Sequence, residues 1–473
     1  MTETDFLCLA PFLIIAIAPI MIMIVISILR NYEVVYGFSL VLFLIAFASI
    51  FFSIPELPHL IGPLFIIDFY SLFFLGIIIL SALLVTLLSY DYIKQLEGAR
   101  EEYYIILFTS TLGASLLAVA NHFIIFFLGF EILSISLYIL IAFQKSKDSS
   151  IEAGIKYLFL ASASSAFLLF GMALIYTAFG TMQFDGIAFA VRNNSQLSPL
   201  VIIGFGMMMV GLGFKLALVP FHMWTPDVYQ GAPAPITGYI ATVSKGAVMA
   251  ILIRFFFNLK GFDNHYFFIV ISVIAILSMF IGNLLAIRQQ NIKRLLAYSS
   301  IANMGYLLII LLTGSNKGIQ AAIFYLISYF ITTIGAFGVI SLLSTSKYEA
   351  EKLEDYKGLF WKRPWIAIVF TLSLLSLAGI PITAGFIAKF YVVFEGMKAG
   401  LMVLVFSLII NSVIGLFYYL RVINTLLSPA DESKLPTMSL TGNITLALIT
   451  LSIILLGIYP GWLIDIIVKY ASL

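Results

Sequence analysis

The sequence predicts an all-α polytopic membrane protein with about fourteen transmembrane helices. Three observations carry this. Hydrophobic residues make up 62% of the chain and charged residues only 10%, where an ordinary soluble protein carries about 25% charged residues. The mean hydropathy is +1.11. Apolar runs of membrane length, about 20 residues, recur along all 473 residues.

The spans follow in order. The first, 5–29, comes after the acidic "MTETD" with no basic n-region, so it is expected to be a retained span and not a cleaved signal. Spans 35–54 and 68–90 complete an N-terminal group. Spans 103–121 and 123–143 are divided only by the short "VANHF" connection, and 155–179 follows. Span 199–224 carries Lys215 and Pro220, and 235–257 carries Lys245. The series continues with 266–287, 295–313 and 318–344. Span 364–392 holds Pro381 and Lys389, and 402–426 and 440–459 close the count.

Lys and Arg fall mainly in one set of loops: Arg30, Lys94, Arg100, Lys145, Lys147, Arg288, Lys293, Arg294, Lys347, Lys352, Lys357, Lys362, Arg363 and Lys434. The other set holds Arg192, Lys260, Lys317, Lys398 and Lys469. The positive-inside rule makes the first set cytoplasmic. Both termini are then periplasmic, as an even number of spans requires.

Composition excludes other classes. The net charge is +2 and no basic run forms a nucleic-acid patch. The single cysteine, Cys8, makes no internal disulfide, and the four histidines are scattered, so no metal, haem or iron–sulfur cluster is expected in the chain. No dinucleotide-binding glycine pattern, P-loop or nucleophile elbow is present.

Four ionisable residues stand near the middle of spans: Glu131, Lys215, Lys245 and Lys389. On insertion scales each costs roughly 2.5–3.5 kcal/mol at a helix centre, so the set forgoes about 10 kcal/mol, which argues for a function. Burial disfavours the charged form of an amine and a nearby carboxylate favours it. A Glu–Lys pair that can separate is therefore suited to a proton relay. Lys156 and Lys398, nearer span ends, can snorkel.

Polar stripes accompany these charges. Ser134 and Tyr138 share a helix face with Glu131. Ser299, Asn303 and Tyr306 form a second stripe, and Tyr325, Ser328, Tyr329 and Thr332 a third. Such stripes serve interhelical hydrogen bonding or line a hydrated path. Pro220, with His222 just after it, and Pro381 remove backbone donors inside spans seven and twelve. Irregular backbone at that depth is tolerated only inside protein or beside water. The two breaks lie five helices apart, so the order suggests two five-helix units, 103–257 and 266–426, in one membrane domain 1–473. Residues 1–102 precede them and 427–473 follow.

The stretches "GFKLALVPFHMWTPDVYQGAPAPITGYIATVSKGAVMA" (213–250), "NIKRLLAYSSIANMGY" (291–306), "LAGIPITAGFIAKF" (377–390), "LGFEILSISLYIL" (128–140) and "EAGIKYLFLASASSAFLLFGMALIY" (152–176) resemble the antiporter-like membrane subunits of respiratory complex I. "WTPDVYQGAPAP" is the most specific stretch and is similar to one branch of that family, found in the bacterial proton-translocating NADH–quinone oxidoreductase. The likeness covers essentially the whole chain. It implies two inverted five-helix repeats, discontinuous helices seven and twelve, and a charged axis. It implies that Glu131 pairs with Lys215 in the cytoplasmic half-channel, that Lys245 continues the path, and that Lys389 serves the periplasmic exit. NADH, flavin, iron–sulfur clusters and quinone are implied for partner subunits, and none for this chain. No long lateral helix after the last span is expected, as in that branch. One position departs: many relatives read "SSIAHxGY" where this chain has Asn303, which carries no titratable proton. A multi-subunit sodium/proton antiporter, or a related membrane hydrogenase or ferredoxin-linked complex, is the alternative assignment. A sodium site wants several carboxylates, and Glu131 is the one clear mid-span acid.

Overall fold

The computed structural model describes residues 2–193, 197–259, 265–345, 348–429 and 439–470. Lys260, Lys347 and Lys434 of the charge pattern lie outside the described residues. The N-terminal group comprises α1 (Glu3–Ile28), α2 (Tyr32–Ser53) and α3 (Phe69–Lys94), with a hairpin of β1 (His59–Ile61) and β2 (Phe65–Ile67) between α2 and α3. Next come α4 (Glu102–Val119), α5 (Phe123–Ile141), α6 (Asp148–Phe179) and the short α7 (Phe184–Asn193). The seventh span divides into α8 (Pro199–Leu216) and α9 (Trp224–Gly231). The eighth runs from α10 (Ala234–Tyr239) through a π-helical turn, Ile240–Ser244, into α11 (Lys245–Asn258). Then follow α12 (His265–Ile287), α13 (Ile292–Leu311), α14 (Asn316–Leu343) and the single turn α15 (Leu359–Lys362). The twelfth span is split into α16 (Pro364–Ala378) and α17 (Ala384–Lys398), and α18 (Met402–Leu427), α19 (Leu440–Ile458) and α20 (Gly461–Tyr470) complete the chain.

Among the described residues thirteen helices are long and apolar enough to cross a membrane. The pair α16–α17 supplies the fourteenth crossing in two halves, so the expected count stands. The sequence reading missed the hairpin, α7, α15 and α20, all too short to register as spans.

Side-chain caps fix several of the helix starts. Asn31, Asp68, Asn291, Ser315 and Ser439 each accept from a first-turn N–H, satisfying donors that hydrocarbon could not. The outer spans α1, α2, α12, α18 and α19 turn Leu, Ile, Val and Phe outward, as at Phe51, Val403 and Val413. The spans α10–α11, α13 and α14 are the most enclosed. Buried polar side chains collect there, including Lys245, Ser300, Asn303 and Tyr329.

At one end of the bundle, buried Glu349 takes Lys147 on one oxygen at 2.6 Å and Lys293 on the other at 2.7 Å. Lys293 also donates to Ala232 O at 2.5 Å. This joins the α5–α6 and α12–α13 connections at the same end, as the charge pattern requires. Burial alone would push the Glu349 carboxyl up, and the two ammoniums overcome it, holding the group below its usual range. Lys156 does not snorkel freely but pairs with Glu152 at 2.8 Å and Asp227 at 3.0 Å. Lys398 pairs with Glu395 at 3.1 Å.

Candidate functional site

The first break begins earlier than its proline. Helix α8 ends at Leu216 because Ala217 turns left-handed, φ +60°, and its N–H closes on Gly213 O and Phe214 O. The sequence reading carried this helix to 224; four residues before Pro220 it has already stopped. A left-handed non-glycine residue is costly, of order 1–3 kcal/mol, and persists only where its surroundings fix it. Here the Trp224 indole donates to Phe214 O at 2.8 Å and Val219 N–H donates to Ser278 Oγ at 3.0 Å. The second break is similar. Gly379 (φ +84°) ends α16, Pro381 follows, and Ile382 is also left-handed, φ +75°. Helix α17 restarts so close to α16 that a Cβ on Gly385 would lie 1.8 Å from Ser376 O. Glycine is the residue that permits that approach.

Lys215, in the last turn of α8, is 1% exposed. Its Nζ donates to Tyr157 Oη at 2.8 Å and lies 5.2 Å from the Phe130 and Tyr157 ring centres. Glu131 is half-buried on α5 and forms no ion pair with it. Glu131 Oε1 is buried without a hydrogen-bond partner. The contact expected between these two residues is therefore open, with Tyr157 standing as the lysine's acceptor. Ser134 bonds back to Phe130 O on its own helix, and the Tyr138 ring packs 5.6 Å from that of Tyr157. His222 is buried near Pro220, its Nδ1 without a partner, and makes no bond to any of the three lysines.

Lys245 follows directly on the π-helical turn and is fully buried. Its Nζ donates to Ser300 Oγ at 2.6 Å, and Ser300 Oγ meets Tyr329 Oη at 2.6 Å and Tyr229 Oη at 3.4 Å. Between Lys215 and Lys245 stands an aromatic wall of Tyr157, Trp224 and Tyr229, with ring centres 4.9 and 6.5 Å apart in turn. Beyond Tyr329 a small cavity, with room for about one water molecule, is lined by Tyr325, Asn303, Thr332, Ser376 and Lys389. Lys389 Nζ donates to Ala378 O at 2.8 Å and Ser412 Oγ at 3.0 Å, 5.1 Å from the Tyr306 ring centre.

Asn303 accepts from Tyr325 Oη at 2.7 Å and donates to Ser299 O at 2.8 Å, while Ser299 Oγ bonds Tyr419 Oη. Asn283 extends this network, donating to Tyr306 Oη at 3.0 Å and accepting from Tyr418 Oη at 3.0 Å. The structure thus unites Lys245, Tyr329 and Lys389 along one polar line with Asn303 and Tyr325 on its flank. Lys215 is set apart behind the aromatic wall. Sequence reasoning missed Tyr157, Ser300 and Ser412. Ser300 stood one residue off the Ser299 stripe and was the nearest to being found. Among the described residues no three His, Cys, Asp or Glu side chains gather as a metal site would need.

Comparison with known proteins shows the family of the chain. Residues 120–415 match the family model described as NADH:quinone oxidoreductase/Mrp antiporter, TM. NADH-quinone oxidoreductase subunit N of Methylococcus capsulatus is 42% identical over 469 residues, covering 98% of this chain and 95% of the relative. A chain of respiratory complex I from Thermus thermophilus, solved with bound aureothin, superposes with a TM-score of 0.84 at 30% identity, over 96% of this chain and 98% of that one. A chain of the Mrp complex from Dietzia sp. has a TM-score of 0.86 at 20% identity, over 100% and 97%, a likeness of fold. The match over most of the length, on the same stretches that hold the lysines and the breaks, shows that the chain belongs to the antiporter-like membrane subunit family of NADH:quinone oxidoreductase.

Proposed function

We infer that this chain is the proton-translocating membrane subunit N of an NADH:quinone oxidoreductase. In this reading it moves protons through Glu131, Lys215, Lys245 and Lys389 while partner subunits oxidise NADH and reduce quinone. The observation that carries it is the line Lys245–Ser300–Tyr329–cavity–Lys389. Buried amines whose nearest partners are hydroxyls and carbonyls can gain or lose a proton without breaking an ion pair. Hydroxyls both accept and donate, so the line suits proton transfer. Pro220 and Pro381 lie within the two breaks beside the two terminal lysines. Ser134, Tyr138, His222, Ser299, Asn303, Tyr325 and Tyr329 are supporting polar groups. Lys215 takes protons from the cytoplasmic side and Lys389 releases them to the periplasm. Moving one charge against 100 mV costs about 2.3 kcal/mol, which electron transfer elsewhere in the complex supplies.

The same proposal divides the chain into 1–102, two inverted units 103–257 and 266–426, and 427–473. Its support is that the broken helix is the fourth span of each unit. NADH, flavin, iron–sulfur clusters and quinone belong to other membrane and hydrophilic subunits. The location is a bacterial inner membrane, with both termini periplasmic. The experiment is a mild-detergent pull-down of the tagged chain from its native membrane, assayed for NADH:quinone reductase activity. Co-purified hydrophilic subunits and activity are expected. Recovery with antiporter subunits alone, and sodium-dependent transport, would overturn the assignment.

A further inference from the structure

At the end of the bundle where Lys145, Lys147 and Arg100 gather, α4, α5 and α6 leave between them a crevice of about 1220 Å³. An ordinary small-molecule pocket holds about 300–1,000 Å³. Its walls change character with depth. The mouth is formed by the α3–α4 and α5–α6 connections and carries Gln95, Glu97, Gln144 and Lys145. The floor is formed by Ile106, Ile139, Ile155 and Leu158, and Ile139, Ile155 and Leu158 are exposed. From Ile151 to Leu158 the helix α6 descends about 10 Å, enough to pass from the polar interface into hydrocarbon. An apolar floor disfavours a water-filled vestibule, and a small soluble anion would leave it uncovered. The lining suits an amphiphile with its head at the loops and its tail along α6.

The mouth also selects a head. Lys147 is committed to Glu349 at 2.6 Å and Glu102 to Arg30 at 2.6 Å. That leaves one cation and one anion at the rim, Lys145 and Glu97. Both are exposed, neither is in an ion pair among the described residues, and they stand on the two different connections that form the mouth. One phosphate and one ammonium with N–H donors would satisfy both. A phosphocholine head has no N–H for Glu97, and a phosphoglycerol head brings no cation to it. We propose that this crevice is a binding site for a diacyl phosphoethanolamine lipid, its phosphate on Lys145, its ammonium on Glu97 and one acyl chain along Ile155 and Leu158. This goes beyond the transport reading and does not depend on it.

The test is photo-crosslinking of the intact complex in mild detergent with a phosphatidylethanolamine bearing a diazirine on one acyl chain, followed by peptide mapping. Label is expected on residues 138–158, and unlabelled phosphatidylethanolamine should displace it several-fold better than phosphatidylcholine or phosphatidylglycerol. The Glu97→Ala/Lys145→Ala double variant, confined to surface loops, should lower the yield several-fold and remove the head-group preference. Ile155→Trp should block the floor. Equal labelling by all three head groups would reduce the crevice to ordinary boundary lipid and overturn the proposal. So would a bifunctional reagent joining residues 138–158 to another subunit in place of lipid.

Discussion

The Lys215 ammonium donates to the Tyr157 hydroxyl at 2.8 Å, and the carboxylate of Glu131 stays out of reach of an ion pair. A hydrogen bond to a charged group is worth about 1.5–3 kcal/mol, which is roughly ten- to a hundredfold in population. Tyr157→Phe keeps the ring against Trp224 and removes the acceptor alone. The expected result is an assembled complex with a lowered proton yield per NADH, read by pH-sensitive dye in proteoliposomes. Unchanged yield would show that the hydroxyl only packs.

Lys215→Ala removes the amine itself and should abolish coupled NADH oxidation while leaving subunit composition intact. Glu131→Gln keeps the shape of the carboxylate and deletes its charge, so it should impair pumping although it breaks no direct contact. If both variants turned over and pumped normally, the relay role of α5 and α8 would be lost.

Lys389 occupies a crowded seat: a Cβ on Gly379 would lie 2.8 Å from its Cδ. Arginine holds its proton throughout the physiological range and carries a planar head. Lys389→Arg should therefore stop proton release with the complex assembled. Full activity in that variant would indicate a fixed charge at this position and not a carrier.

Gly385→Ala asks a structural question. The added methyl would meet Ser376 O at 1.8 Å, and overpacking of a fitted site costs typically 1–3 kcal/mol. A lowered melting temperature and reduced incorporation into the complex are expected. Normal thermal stability would mean that the α16–α17 junction is looser than its packing indicates.

Glu349 offers a pH test outside the spans. Its carboxyl is held below the usual 4.5, against burial, by Lys293 and Lys147. A depressed carboxylate stabilises fully above its unfolded pKa, and that stability drains away as pH falls through the folded value. Glu349→Gln leaves two lysines facing a neutral amide, a loss of roughly 3–5 kcal/mol for a broken buried pair. Melting curves of wild type and variant should differ at neutral pH and converge in acid below the usual 4.5. Parallel curves at every pH would remove the ionic account.

Much of this was readable from composition because hydrocarbon imposes simple demands. Spans need length and apolarity, and a mid-span lysine such as Lys245 is too costly to be accidental. The acceptors were not readable. Tyr157, Ser300 and Ser412 are common residue types, and what distinguishes them is proximity across helices distant in sequence. The start of the first break was hidden for the same reason. Pro220 announced an interruption, but it is the Trp224 indole on Phe214 O and the left-handed Ala217 that end α8 at Leu216. The opening between Glu131 and Lys215 is also a tertiary fact, set by how α6 inserts Tyr157 beside α8.

The bond from Lys389 to Ala378 O has a mechanical consequence. Every α-helix carries a partial negative charge at its C-terminal end. Lys215 rides in the last turn of α8, so the pole it senses travels with it. Lys389 is anchored on α17 and reaches across the gap to the C-terminal pole of α16. Its field depends on the spacing of two separate half-helices. Lys389 is in effect a strain gauge: a small slip between the half-helices changes the voltage at one amine and leaves the other untouched.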